Sequence, residues 1–236
     1  MSAKLEARGL NAWYGRAQIL FDMNLSVAPR QVVALVGRNG AGKSTTMRAV
    51  MGLTTRRAAS LTFDGEDISK QPPYEIARRG LGFVPEDRRI FTDLTVEENL
   101  EVGRRPPRAG APVWTPDRLY ALFPNLSELR KRPGGRMSGG EQQMLTIART
   151  LMGNPSMVLL DEPSEGLAPK IVEEMATALL ALKHEGLALL VSEPNLHFAR
   201  LVADRVVVVE KGRAVYEGAL ADFDAAPDIR DAYLAV

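Results

Sequence analysis

Nine consecutive residues, Gly37-Arg38-Asn39-Gly40-Ala41-Gly42-Lys43-Ser44-Thr45, have the types and spacing that hold a polyphosphate. The apolar run 31–36 before them reads as a buried strand, and residues 46–51 after them read as a helix. A glycine-rich turn between a strand and a helix N-terminus points backbone N–H groups at an anion, and the helix dipole adds to the attraction. Lys43 is placed to reach the β- and γ-phosphates, and the Ser44 hydroxyl to ligate Mg²⁺. The competing reading, a flexible loop with coincidental glycines, does not explain GxxxxGKS in this context. The apolar strand 157–161 ends in two carboxylates. Asp161 suits a Mg²⁺ bound to phosphate, and Glu162 suits proton removal from an attacking water. Alone these would read as solvated acids; beside a phosphate loop on an adjacent strand they make a hydrolytic site. In Met137-Ser138-Gly139-Gly140-Glu141, Ser138 and Glu141 form a capping box, which a good helix start explains by itself. The two glycines weaken an ordinary helix by about 1 kcal/mol each, which makes sense if a phosphate must approach the backbone.

Composition bounds the rest. The chain has 236 residues, enough for one large domain or two small ones. Thirty basic residues balance 29 acidic ones, so nothing in the charge demands nucleic acid or an anionic membrane as partner. Cysteine is absent, which excludes disulfides, thiolate metal sites and thiol catalysis. The opening MSAKLEARGL lacks the apolar core of a signal peptide, and no apolar run is long enough to span a bilayer. The expectation is a cytoplasmic chain whose membrane role comes through a partner.

The elements that must position these residues follow from pattern. Residues 5–36 read as short antiparallel strands. Residues 61–63 read as a strand ending in a tight turn at Asp64-Gly65, residues 73–79 as a helix opened by proline, and residues 80–85 as a strand. From Glu86 to about Met152 helical patterns dominate, with Thr95 as an N-cap, a loop over 104–116, short helices over 118–130 and a helix from Ser138. The α/β pattern returns with strands at 157–161, 187–191, 205–209 and 214–216. A helix from Pro169 to about Glu185 carries Ile171, Met175, Ala178, Leu179 and Leu182 on one side. The expected fold is α/β: a P-loop NTPase core with a mostly parallel sheet (1–85 and 153–236), an N-terminal antiparallel β subdomain, and an inserted α-helical subdomain (86–152), all in one domain.

LVGRNGAGKST, MSGGEQQ and LLDEP, in this order, resemble the Walker A, signature and Walker B motifs of ATP-binding cassette (ABC) ATPases, and the likeness covers essentially the whole chain. The resemblance implies a sandwich of two subunits, with ATP and Mg²⁺ held between Walker A of one and the signature of the other. Ser138, Gly139 and Gly140 would then act on the partner's ATP. Tyr14 matches the aromatic position that stacks on adenine; a core aromatic at a strand end is the alternative. VPEDRRIFTDLTVEENL, FPNL and LLDEPSEGLAP resemble the shorter ATP-binding subunit of branched-chain amino acid importers, a subgroup with relatives serving urea, amides and aromatic acids. This implies a second cassette subunit, transmembrane permease subunits, and indirectly a periplasmic or extracellular solute-binding protein, at the cytoplasmic face of the inner membrane, with no nucleic acid. Docking to the permease is expected near residues 86–91, around Arg88, Arg89, Ile90 and Phe91. Two competing classes fit less well. A non-transport cassette would bring coiled coils or a second cassette, and a small-molecule kinase would lack the signature segment.

The chain departs from the general cassette pattern at three places. Glu86 stands where a glutamine usually contacts Mg²⁺. Pro194 stands where a histidine usually binds the γ-phosphate, and proline has neither a polar side chain nor an N–H. His184 and His197 are read as surface or packing residues. Ala168 stands at a usual aspartate and matches the subgroup. Slow hydrolysis at this chain's own Walker site is therefore expected in a mixed dimer. Glu162→Gln in this subunit should lower the ATPase rate less than the matching change in its partner; equal losses would refute the asymmetry.

Overall fold

Alternation of apolar and polar residues near the N-terminus builds two long strands. In the computed structural model, which describes residues 3–194, 196–226 and 228, β1 (Leu5–Tyr14) pairs antiparallel with β2 (Ala17–Val27). These are longer than the short segments expected, and register shifts along the pair show why: bulges let one strand run on where strict alternation breaks. The chain then enters a second sheet through β3 (Val32–Val36), whose residues are all fully buried. α1 (Lys43–Val50) follows the glycine turn. β4 (Thr55–Arg57), β5 (Ser60–Phe63) and β6 (Glu66–Asp67) complete the antiparallel sheet. The turn between β5 and β6 sits on Asp64 and Gly65, both with positive φ, as the dipeptide requires.

The second sheet gathers β7 (Leu81–Val84), β8 (Met157–Asp161), β9 (Ala188–Glu193), β10 (Arg205–Glu210) and β11 (Arg213–Ala219) around β3. Its order is β11-β10-β3-β9-β8-β7, with every neighbouring pair parallel except the β10–β11 hairpin. Period-two alternation divides its strands between cores: Val33 and Leu35 of β3 pack toward α1 and the antiparallel sheet, while Ala34 and Val36 pack on Phe223. Each fully buried leucine or valine contributes about 2 kcal/mol.

Helices cover the sheet. α2 (Pro73–Arg78) precedes β7. α3 (Val96–Gly103), α4 (Pro116–Leu122), α5 (Pro124–Glu128) and α6 (Gly139–Leu151) form the helical insertion. α7 (Pro169–His184), α8 (Leu196–Val202) and α9 (Leu220–Asp224) lie between and after the later strands. Met175, Ala178, Leu179 and Leu182 of α7 are buried, and half-buried Ile171 packs on the same core. β4 and α9 had no clear signal in the sequence, being three and five residues long.

A buried polar side chain braces the link between sheet and insertion. Asn99 on α3 is fully buried. Its Nδ2 donates to the carbonyls of Phe91 (3.0 Å), Leu94 (3.1 Å) and Thr95 (3.0 Å), and its Oδ1 accepts from the Phe91 N–H (3.0 Å). Truncation would strand the Phe91 N–H in the interior, at about 1–3 kcal/mol, whereas the three carbonyls keep the backbone N–H groups of Leu94, Gly134 and Asn99 as donors. Asn99→Ala should destabilise the chain by about 1–3 kcal/mol in denaturant titrations and speed exchange of the Phe91 amide. A loss below about 0.5 kcal/mol, the range of ordinary surface changes, would show that segment 91–95 is held some other way.

Candidate active site

The phosphate loop is shaped from behind. Gly37 has φ 151°, and a Cβ there would lie 2.2 Å from the Val209 carbonyl oxygen of β10. Gly42, the N-cap of α1, has φ 114° and packs on Leu20 and Gly212. The Gly212 N–H donates to the Ala41 carbonyl (2.7 Å), so the β10–β11 turn braces the loop. No side chain caps α1 and no acid lies in its first turn, which leaves its first N–H groups for an anion. Arg38, Asn39 and Gly40 form the exposed tip; Ala41, Lys43 and Thr45 are buried and Ser44 is half-buried. At the far end of α1, Arg56 donates to the Ala49 (2.5 Å) and Val50 (3.0 Å) carbonyls, a brace that no motif announced.

Lys43 is 3% exposed. Its Nζ donates to the Gly37 (2.9 Å) and Arg38 (3.3 Å) carbonyls and lies 3.4 Å from Glu162 Oε1. The two catalytic candidates therefore meet. The strands that carry them are not adjacent, contrary to the sequence expectation: β9 lies between β3 and β8. Parallel strands are joined by crossovers, so their order in the sheet is not their order in the chain. Val36 pairs with Glu193 and Asp161 with Ser192, which sets the ends of all three strands in one row.

Asp161 is fully buried. Its Oδ1 accepts from Ser192 Oγ (2.6 Å), whereas its Oδ2 has no hydrogen-bond partner. An orphaned carboxylate oxygen beside an uncapped helix tip fits a Mg²⁺ ligand. Glu162 adopts a left-handed φ of 48°, unusual outside glycine. Its N–H donates to Ser192 O and Oγ, both at 3.1 Å. Burial and a hydrogen bond with Glu165 push the Glu162 carboxyl up to about 7, against the pull of Lys43. A base in that range is matched to neutral pH. Glu86 is exposed, and its carboxylate groups with those of Glu162 and Glu165, the oxygens lying within 4.8 Å of one another.

The capping box of Ser138 and Glu141 forms as expected, with the Ser138 N–H on Glu141 Oε2 at 2.7 Å. The glycines of this turn have reasons inside the chain: a Cβ at Gly139 would lie 2.9 Å from the Arg88 guanidinium, and one at Gly140 2.9 Å from Ile171. Phosphate approach is therefore not needed to explain them. Among the described residues, no hydrogen bond or ion pair joins Ser138, Gly139 or Gly140 to the phosphate loop. Tyr14 is 43% exposed at the end of β1, which removes the core-aromatic alternative. Phe91 is exposed and lines a groove of about 1010 Å³ with Tyr74, Val102 and four arginines, Arg78, Arg105, Arg108 and Arg149. Residues missed by motif reading are Ser192, Glu193 and Glu165. The first two were legible only as polar residues ending an apolar strand.

A glycine turn on a strand–helix junction, a buried acidic strand end and a serine-led helix on an insertion define an ATP-binding cassette. The family described as "ABC transporter" matches residues 20–165, more than half of the chain, and the chain belongs to it as an ABC transporter ATPase. It is 40% identical over 225 residues to the high-affinity branched-chain amino acid transport ATP-binding protein BraG of Pseudomonas aeruginosa, covering 95% of this chain and 97% of that one. It is 34% identical to the lipopolysaccharide export system ATP-binding protein LptB of Escherichia coli K12, covering 92% and 90%. Among solved structures, the ADP conformation of an ABC transporter's ATP-binding cassette matches with a TM-score of 0.81 and 26% identity, covering 96% and 94%. No helix among the described residues is long and apolar enough to cross a membrane.

Glu193 gives the site a pH signature. It is fully buried, and burial pushes its carboxyl up to about 7, against two hydrogen bonds from Ser164. Its value in the folded chain thus lies above the ordinary 4.5. Between these values this carboxyl binds more protons in the folded chain than in the unfolded one, so its contribution to stability is greatest below about 4.5 and is lost as pH rises through about 7. Melting curves without nucleotide, in chelator, should show a Tm decline from pH 5 to pH 8 that Glu193→Gln reduces. An unchanged decline would show that this carboxyl does not contribute to it.

Proposed function

We propose that residues 37–45 hold ATP, that Glu162 drives its hydrolysis, and that the energy powers an importer of branched-chain amino acids. The observation that carries this reading is the meeting of Lys43 and Glu162 at 3.4 Å beside the orphaned Asp161 oxygen. Backbone N–H groups of the loop and of α1 would hold the phosphates. Lys43 Nζ, whose partners are two loop carbonyls, would turn to the γ-phosphate. Ser44, Asp161 and Glu86 would hold Mg²⁺, which when bound neutralises phosphate charge. Glu162 would orient the attacking water and take its proton. Tyr14 would stack on the adenine. Ser138, Gly139 and Gly140 of a second cassette, identical or related, would close over the γ-phosphate. Positioning and charge supply most of the rate in such phosphoryl transfer.

The groove beside Phe91 would seat a segment of the permease subunits. Its wall adjoins the 86–91 segment, so changes at the γ-phosphate would reach the permease through Glu86. The relative named for branched-chain amino acid transport supports the solute, at 40% identity. Lipopolysaccharide export is the second reading, supported by a relative named for it at 34%. Urea, amides and aromatic acids are the other import classes.

The test uses the complex purified through this chain with its permease subunits in vesicles. Leucine, isoleucine and valine should be taken up at the expense of ATP. Lys43→Ala should keep the permease and lower hydrolysis at this chain's own Walker site by about a hundredfold or more, as for loss of a principal charge-stabilising group; in a mixed dimer the total rate should fall less, because the partner's site carries most turnover. Phe91→Ala should keep nucleotide binding and lose permease. Absence of Mg²⁺–ATP binding by the wild type would end this reading, and uptake of another solute class would end the solute assignment.

A further inference from the structure

We infer that Glu193 is a positioning residue for ATP hydrolysis: from the strand between the phosphate-loop strand and the Asp161 strand, it fixes the turn after Asp161 and so holds Glu162 in place. The inference rests on the hydrolytic reading above.

The last two residues of β9 grip three residues at and just after the end of β8. Ser192 binds Asp161 through its hydroxyl and receives the Glu162 N–H on both its carbonyl and its hydroxyl. Glu193 then reaches Ser164. Its Oε1 accepts the Ser164 N–H (3.2 Å) and its Oε2 accepts the Ser164 hydroxyl (2.8 Å). Pro163 links the two gripped positions, and its ring fixes φ, so little slack remains between Glu162 and Ser164. Glu162 is thereby held on both sides while its backbone stays left-handed, a conformation that costs about 1–3 kcal/mol and persists only where its surroundings enforce it.

Glu193 is fully buried and both its oxygens are engaged, so it is not itself a base for an attacking water. A buried carboxylate is expensive, and no ion pair to a base offsets it among the described residues. Its return is the geometry of the turn. It also stands next to Pro194, which cannot contact a phosphate through a side chain or an N–H. Placement of Glu162 falls to β9 all the more.

The experiment compares wild type, Glu193→Gln, Glu193→Ala and Ser164→Ala in the complete transporter complex, with the partner's matching catalytic glutamate changed to glutamine where the second cassette is a different chain, reading kcat and KM for ATP at this chain's own site, with amide exchange of Ser164 as a second readout. Glu193→Ala should lower kcat about tenfold to a hundredfold, the scale of a small misplacement at a reacting group, with KM within about twofold. Glu193→Gln keeps an acceptor oxygen and should recover most of kcat, leaving Ser164 exchange near wild type, whereas Glu193→Ala should speed it. Ser164→Ala should lower kcat in the same direction while leaving Glu193 in place. Equal losses in Glu193→Gln and Glu193→Ala, or an unchanged kcat in Glu193→Ala despite faster exchange, would overturn the inference. A wild type that hydrolyses no ATP would overturn the preceding reading instead, and the exchange comparison would still decide whether Glu193 holds the turn.

Discussion

The site depends on the parallel register of three strands. β3, β9 and β8 end in one row, with Val36 opposite Glu193 and Asp161 opposite Ser192. The glycine loop springs from the first and the acidic pair from the third. A slip of one residue would swap each strand's side chains between two buried faces. The close-packed fit of each face resists that swap and so fixes the register, and the register brings Lys43 to Glu162. The ends of the strands are also where parallel sheets leave room for a ligand.

Burial at this edge is paid for in charge. Lys43, Asp161 and Glu193 lie within the protein, and each is held by neighbours rather than by water. Lys43 bonds carbonyls of its own loop, Asp161 takes the Ser192 hydroxyl, and Glu193 takes Ser164. Asp161 Oδ2 is the exception. An unsatisfied oxygen in the interior is costly, and in a site of this kind it marks where a cation would bind.

The insertion joins this edge through backbone carbonyls more than through salt bridges. The Arg88 carbonyl receives the Thr146 hydroxyl of α6 (3.0 Å), and the Arg88 guanidinium lies against Gly139 at the tip of the same helix. Arg88 and Arg89 both have positive φ, so the segment after Glu86 is tightly bent against α6. Asn99 closes its other end. The segment from Glu86 to Thr95 thus spans from the carboxylate cluster to the arginine-lined groove, and a displacement at one end has a short, packed path to the other.

The sequence by itself determined the local chemistry. GxxxxGKS, the apolar strand ending in Asp161-Glu162, and the capping boxes at Thr95 and Ser138 are contiguous, and each is set by neighbours in the chain. The fold class was legible for the same reason, since periodicity and turn residues are local signals. Tertiary structure alone decided what lies between. β9 enters between the two functional strands, Gly212 braces a loop some 170 residues earlier, Glu86 joins Glu162 and Glu165, and the signature glycines find Arg88 and Ile171. Strand order and such contacts come from long-range packing, where distant segments share one core and no short window of sequence records the partner.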